Sequence, residues 1–165
     1  MIALVLGGAR SGKSDMAEKM AADRAGTMVT VLATAVVADD DMAARVAAHQ
    51  GRRPAEWATV EAGAGLVAAL RSTPGMVVVD SLGTWVAAAP DLVVDSTELC
   101  GALAERQGDA VVVSEEVGLG VHPTSEAGRR FRDSLGEVNQ AVAAVADEVL
   151  LVVAGRILRL GGATP

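Results

Sequence analysis

Residues 7–14 read Gly-Gly-Ala-Arg-Ser-Gly-Lys-Ser and fit the pattern G-x-x-x-x-G-K-[ST] at every fixed position. In this pattern the backbone N–H groups of a glycine-rich turn surround nucleotide phosphates, the lysine reaches the outer phosphates, and the hydroxyl contacts Mg²⁺. An apolar run precedes the turn and a helical pattern follows it, which is the setting that the motif requires. Arg10 could add its charge to the phosphates or face solvent. The predicted nucleotide-binding residues are Gly7, Gly8, Ala9, Arg10, Ser11, Gly12, Lys13 and Ser14, with Lys13 also acting in catalysis.

A phosphate loop of this kind also needs a carboxylate near Mg²⁺, at the end of a neighbouring strand. The apolar run at residues 76–80, "MVVVD", ends in such an acid and points to Asp80, although a helix cap or turn would also suit it. Glu115 and Glu116 follow "AVVVS" and are the next candidates. We therefore expect Mg²⁺ on Ser14 and Asp80, with a nucleoside triphosphate bound at the loop.

Two histidines occur in the sequence, and His49 has the more unusual surroundings. It ends a predicted helix, Arg45 precedes it by four residues, and Arg52 and Arg53 follow. A neutral imidazole can attack an α-phosphate, expel pyrophosphate and carry the nucleotidyl group on nitrogen, while arginines bind the phosphates. The plain alternative is a helix-end histidine favoured by the helix dipole. The residues alone leave both open.

Strand and helix patterns alternate along the chain, which indicates βαβ units. Residues 81–94 receive no assignment, and residues 117–125 are expected to form a loop. The sequence predicts one P-loop NTPase-like α/β domain over residues 1–165, with three layers, a mostly parallel central sheet and a C-terminal antiparallel hairpin. Strands are expected at residues 2–6, 28–33, 57–61, 76–80, 110–114, 148–153 and 156–160, and helices at 13–24, 39–50, 65–71, 95–107 and 125–146.

Composition and net charge exclude some classes of binding partner. The net charge is −7 and aromatic residues make up 2%, which argues against a nucleic-acid partner. A single cysteine and the lack of a membrane-length apolar run favour a cytoplasmic protein without a membrane span. Lys13 and Lys19 are the sequence's lysines, so the N-K-x-D motif of guanine-reading GTPases is missing. The functions still compatible with the P-loop motif are a kinase of some small alcohol and, as the non-enzyme alternative, a nucleotide-dependent switch.

Four blocks, spread in order over nearly the whole chain, carry a family resemblance: "LVLGGARSGKS", "LATAVVADDDMAARVAAHQGRRPAEWATVE", "SEEVGLGVHP" and "FRDSLGEVNQAVAAVADEVLLVVAGRILRL". They resemble the bifunctional adenosylcobinamide kinase / adenosylcobinamide-phosphate guanylyltransferase family of cobalamin biosynthesis. The resemblance implies phosphorylation of adenosylcobinamide by ATP or GTP. It then implies GMP transfer from GTP to adenosylcobinamide phosphate, which gives adenosylcobinamide-GDP and pyrophosphate. Family members assemble as rings, typically homotrimers.

The resemblance also assigns residues. The family's GMP-carrying histidine falls on His49. Glu61 could read guanine by accepting its N1–H and N2–H, or could be a solvated acid at a strand end. Glu115-Glu116 stands where many relatives have Asn-Glu, and residues 117–123 are the candidate corrinoid contact. The nucleotide-contacting stretches fall on residues 7–14 and on Ala33, Thr34, Ala35, Gln50, Gly51, Arg52, Arg53, Glu61 and Asp80.

Overall fold

The structure is a computed structural model that describes residues 1–35, 51 and 53–161. The described residues form a seven-stranded sheet in the order β3-β2-β4-β5-β1-β6-β7. Neighbouring strands are parallel except β6 and β7, which are antiparallel, so the predicted mostly parallel sheet with a terminal hairpin is confirmed. The strands are β1 (Ile2–Gly7), β2 (Val29–Ala33), β3 (Ala58–Glu61), β4 (Met76–Asp80), β5 (Ala110–Glu115), β6 (Glu148–Val153) and β7 (Arg156–Leu160).

The α-helices of the described residues lie within two residues of their predicted bounds, with one additional α-helix. The additional helix spans Leu82–Ala88, in the segment that received no assignment. Asp95 caps the helix Ser96–Glu105, because its side chain accepts from the Glu98 N–H over 2.9 Å. The helix predicted over residues 39–50 lies outside the described residues. The helices are α1 (Lys13–Ala25), α2 (Leu66–Ser72), α3 (Leu82–Ala88), α4 (Ser96–Glu105) and α5 (Glu126–Val145).

Side chains alternate between the two faces of the sheet, and both faces are buried. Leu4 of β1 packs into one apolar cluster with residues of α2, α3, α4 and α5. Its neighbour Val5 packs into the other cluster, with Ala17 and Ala21 of α1. A parallel sheet covered on both faces requires apolar runs rather than alternation, which explains the sequence of the strands. The three-layer α/β architecture is therefore confirmed. No helix among the described residues is both long and apolar enough to cross a bilayer.

The carboxyl ends of the parallel strands meet at one edge of the sheet. In the register of the ladders, Gly7 at the end of β1 lies opposite Glu115 at the end of β5. Ala33 at the end of β2 lies opposite both Asp80 of β4 and Glu61 of β3. Ligands of open α/β sheets bind at this edge. Residues that are far apart in the sequence thus lie together at the edge where such sheets bind ligands.

Candidate active site

The loop between β1 and α1 has a shape that depends on its glycines. A Cβ at Gly7 would approach the Val152 carbonyl oxygen to 2.8 Å and overlap the Ser11 side chain. Gly12 has φ = 94°, a left-handed conformation that costs glycine little. The Ser11 carbonyl accepts from the Gly155 N–H over 2.9 Å, so the terminal hairpin supports the loop from one side. The backbone can therefore hold a tight turn at the end of β1.

The N-terminus of α1 is open. Gly12 supplies no side-chain cap, whereas Asp95 and Ser125 cap α4 and α5. The first N–H groups of a helix have no partner within the helix, and together with the helix dipole they form an anion site. Among the described residues, the buried Ser11 hydroxyl also has no hydrogen-bond partner. The geometry of the loop fits phosphate binding.

Lys13 is held close to this opening by an acid at the end of β5. Its Nζ lies 3.5 Å from Glu115 Oε1 and 3.4 Å from the Gly8 carbonyl oxygen. The Ser81 hydroxyl lies 3.0 Å from each oxygen of the same carboxylate. Glu115 is thus linked both to the phosphate loop and to the end of β4.

Asp80 takes part in a second charged group. Arg53 donates from Nη2 to Asp80 Oδ2 over 2.7 Å and from Nε to Glu18 Oε1 over 2.8 Å. The Arg53 side chain is 7% exposed, and those of Glu18 and Asp80 are 14% and 20% exposed. These two largely buried ion pairs join α1 to β4 through Arg53.

Thr34 ties β2 to the start of α3. Its hydroxyl lies 2.6 Å from both the Ser81 carbonyl oxygen and the Thr84 hydroxyl, and it accepts from the Ser81 N–H over 2.9 Å. Thr34 is fully buried, while Ala33 and Ala35 on either side of it are half-buried. The predicted stretch of residues 33–35 therefore borders Asp80 directly.

The other predicted residues lie around this edge or outside the described chain. Ala9, Arg10, Gly51 and Glu61 are exposed, and Arg10 has φ = 55°. Ser14 lies in the first turn of α1, two residues beyond Gly12. The proposed nucleophile and two of its neighbours, His49, Gln50 and Arg52, lie outside the described residues.

The sequence did not single out Glu18, Ser81 or Gly83. Glu18 is an ordinary acid on α1 until Arg53 is known to reach it. Ser81 and Gly83 belong to the unassigned segment, yet Ser81 caps α3 and Gly83 lies against the Glu115 side chain. The pattern Ser-Leu-Gly-Thr after a strand could have suggested a helix cap at Ser81.

The sheet with helices on both faces, together with a glycine-rich loop that leads from a central strand into a bare helix N-terminus, defines a P-loop α/β protein. Comparison with known proteins gives the family. A family model described as cobinamide kinase / cobinamide phosphate guanyltransferase matches residues 3–160. The chain belongs to this family of bifunctional enzymes, and the resemblance found in the sequence is confirmed.

Curated relatives match over nearly their whole length. A bifunctional adenosylcobalamin biosynthesis protein CobP from Pseudomonas aeruginosa is 40% identical over 170 residues, covering 96% of this chain and 96% of the relative. A bifunctional adenosylcobalamin biosynthesis protein CobU from Salmonella typhimurium is 36% identical over 177 residues, covering 94% and 97%. Among solved structures, the flagellar accessory protein FlaH from Methanocaldococcus jannaschii aligns with a TM-score of 0.47 and 14% identity. That alignment covers 94% of this chain and 74% of FlaH.

Proposed function

We propose that the chain phosphorylates adenosylcobinamide with ATP or GTP. It then transfers GMP from GTP to adenosylcobinamide phosphate, forming adenosylcobinamide-GDP and pyrophosphate. Family membership supports the pair of reactions. The observation that best supports nucleotide chemistry is the position of Lys13. It lies at the uncapped N-terminus of α1, at the carboxyl edge of the sheet.

The phosphates are proposed to bind residues 7–14, with Lys13 on the outer phosphates. Mg²⁺ would be held by the Ser14 hydroxyl and the Asp80 carboxylate, since oxygen ligands suit this ion. When bound, the ion withdraws charge from the phosphate oxygens. Asp80 is partly exposed, and one of its oxygens already receives a hydrogen bond from Arg53, which fixes the orientation of the carboxyl group.

His49 is the proposed nucleophile of the second reaction. One of its ring nitrogens attacks the α-phosphorus of GTP, a P–N bond forms, and the bond to pyrophosphate breaks. The phosphate of adenosylcobinamide phosphate then attacks the same phosphorus and releases the histidine. Arg53 supports this role, because it follows His49 by four residues and is anchored to α1 and β4 of its own chain.

The nucleotide is further proposed to contact residues 33–35 and 50–53 and to be read by Glu61. A carboxylate can accept both N1–H and N2–H of guanine, which adenine does not offer. Glu61 ends the edge strand β3 and is exposed, so it is available to a base lying across β2.

The corrinoid acceptor is proposed to contact residues 117–123. This loop follows β5 directly and presents Leu119 and Val121, which are 83% and 95% exposed. We also propose a homotrimer in the cytoplasm. Support for subunit contacts comes from exposed apolar side chains on the terminal hairpin, among them Val153, Ile157 and Leu158. The mass of the assembly by light scattering tests the trimer.

The test of the proposed function is turnover with defined acceptors. The protein is given Mg²⁺ and ATP with adenosylcobinamide, and separately Mg²⁺ and GTP with adenosylcobinamide phosphate. We expect adenosylcobinamide phosphate in the first reaction, and adenosylcobinamide-GDP with pyrophosphate in the second. Nucleotide turnover only with an unrelated alcohol would contradict the proposal in favour of another P-loop kinase. Nucleotide binding without any transfer would favour a switch.

A further inference from the structure

Glu115 is carried by a rigid part of the fold. β5 lies between β1 and β4 and pairs with both. Asn139 of α5 donates to the Glu115 carbonyl oxygen over 3.1 Å, and it accepts from the Ser114 hydroxyl over 2.6 Å. The next residue, Glu116, donates its N–H to the Gly7 carbonyl oxygen over 3.1 Å. The backbone at residue 115 is thereby fixed relative to the start of the phosphate loop.

The side chain of Glu115 is oriented as well. The Ser81 hydroxyl donates to the carboxylate, and Gly83 leaves the space in which the carboxylate lies. A Cβ at Gly83 would come to 2.8 Å from the Glu115 carboxyl carbon and would overlap one of its oxygens. The side chain is still 28% exposed. Backbone and side-chain contacts together hold the Glu115 carboxylate next to the phosphate loop.

The position of this carboxylate is informative because Lys13 lies only 3.5 Å from it. The lysine of a P-loop pairs with the outer phosphates of a bound nucleotide. The Glu115 oxygen that now faces Lys13 would then lose its cation and lie next to the γ-phosphate. A carboxylate fixed beside a triphosphate repels it, so nucleotide affinity alone would favour a neutral residue here.

We propose that Glu115 accepts the proton of the attacking hydroxyl during phosphoryl transfer, an inference that rests on the proposed kinase reaction. The hydroxyl oxygen of the acceptor forms a bond to the γ-phosphorus, and the bond from that phosphorus to the β-phosphate oxygen breaks. The hydroxyl proton passes to the Glu115 carboxylate, and the nucleoside diphosphate leaves with the bonding electrons. Protein kinases place a carboxylate in this role, where it orients the nucleophile. Because the resemblance puts Asn at this position in many relatives, the inference concerns Glu115 of this chain and not a residue shared by the family.

The alternative role for Glu115 is that of a counter-ion to Lys13. The two roles make opposite predictions for the activity of Glu115→Gln. This variant keeps the size of the side chain and an oxygen that can accept from Ser81, but it loses the charge. If Glu115 takes the proton, kcat for adenosylcobinamide phosphorylation falls about 100-fold. Binding of a non-hydrolysable ATP analogue with Mg²⁺ stays as tight as in wild type or tightens, because Lys13 has lost a competing anion. Glu115→Asp is expected to recover part of kcat.

The experiment measures kcat, analogue binding and the melting temperature for wild type, Glu115→Gln, Glu115→Asp and the control Glu98→Gln. Glu98 forms an exposed ion pair with Arg71 on other helices, so its variant removes the same charge away from the site. A kcat within about threefold of wild type in Glu115→Gln would overturn the inference, as would parallel losses of kcat and analogue binding. A wild-type protein that forms no adenosylcobinamide phosphate would overturn the kinase half of the proposed function, and this inference with it.

Discussion

Arg53 donates from Nη2 to Asp80 Oδ2 over 2.7 Å. This contact joins the segment that follows the proposed nucleophile to the strand end that is expected to hold the metal. The same guanidinium also bonds to Glu18 of α1, so Arg53 lies between two acids that are mostly buried. Three chain segments meet at this one side chain.

Removal of Arg53 should destabilise the fold. Arg53→Met leaves Glu18 and Asp80 without their shared cation at a site where water has limited access. Loss of one partner of a buried ion pair costs about 3 kcal/mol in the free energy of unfolding. Urea denaturation measures this quantity, and the double variant Glu18→Gln/Arg53→Met should recover part of it.

The exposed pair of Arg71 and Glu98 provides the control for that measurement. Both side chains are about half exposed, at 48% and 49%, and they lie 2.9 Å apart. Arg71→Met should therefore cost less than about 1 kcal/mol. Equal losses in Arg53→Met and Arg71→Met would contradict the structural role assigned to Arg53.

Lys13 should dominate nucleotide affinity. Lys13→Met removes the charge at the open N-terminus of α1, and we expect the Kd for Mg²⁺-GTP to rise about 100-fold. Isothermal titration calorimetry measures the change. The other lysine, Lys19, is exposed on the same helix, so Lys19→Met is the matched control and should bind as wild type does. If the two variants bind alike, the phosphate loop is not the nucleotide site.

Gly83→Ala tests the orientation of Glu115 without altering the acid. The added Cβ would overlap the Glu115 carboxylate, and the flexible side chain would have to move. We expect adenosylcobinamide phosphorylation to slow by at least about tenfold, since a catalytic group displaced by 1 Å loses much of its effect. Gly101→Ala is the control, because nothing lies within 4 Å of its added Cβ. An unchanged rate in Gly83→Ala would argue against a role for the Glu115 position.

Glu61→Gln tests whether the Glu61 carboxylate recognises the guanine base. An amide in place of the carboxylate offers a donor where guanine also has donors, so the preference for GTP over ATP in guanylyl transfer should fall by about tenfold or more. The ratio of kcat/KM for the two nucleotides is the measurement. Glu56→Gln, an exposed acid shortly before β3, serves as the control. A preference unchanged by Glu61→Gln would leave Glu61 as a solvated acid.

The sequence predicted the elements of the fold where local features determine them. The loop at residues 7–14 needs its glycines and lysine in order, and the apolar runs of β1, β4 and β5 suit only strands buried on both faces. The cap at Asp95 is also a local feature, because its side chain accepts from an N–H three residues later. Such features depend on neighbours within a few positions in the chain.

Contacts between distant segments were not predictable in the same way. The helix α3 is seven residues long, and the Ser81 N–H before it donates to the Thr34 hydroxyl, 47 residues earlier in the chain. Ser81 reaches Glu115 across 34 residues, and Arg53 reaches Glu18 across 35. No periodicity encodes these pairs, because they arise from the order of strands in the sheet. The positions of Asp80 and Glu115 were predicted, but their partners were not.

Covalent labelling shows whether GMP is carried on His49, as proposed. The protein is incubated with Mg²⁺ and GTP labelled at the α-phosphate, and in parallel with GTP labelled at the γ-phosphate. Wild type, His49→Ala and His122→Ala are compared. His122 is the second histidine of the sequence, and its Nδ1 lies 2.7 Å from an Arg132 nitrogen on the surface.

We predict that wild type and His122→Ala retain the α-label but not the γ-label. The label should be lost in acid and stable in base, as a phosphoramidate is, and His49→Ala should retain none. Absence of α-label from wild type under every condition would contradict a covalent GMP intermediate on this protein. A His49→Ala protein that is labelled as strongly as wild type would contradict the role of His49, because GMP would then be carried elsewhere.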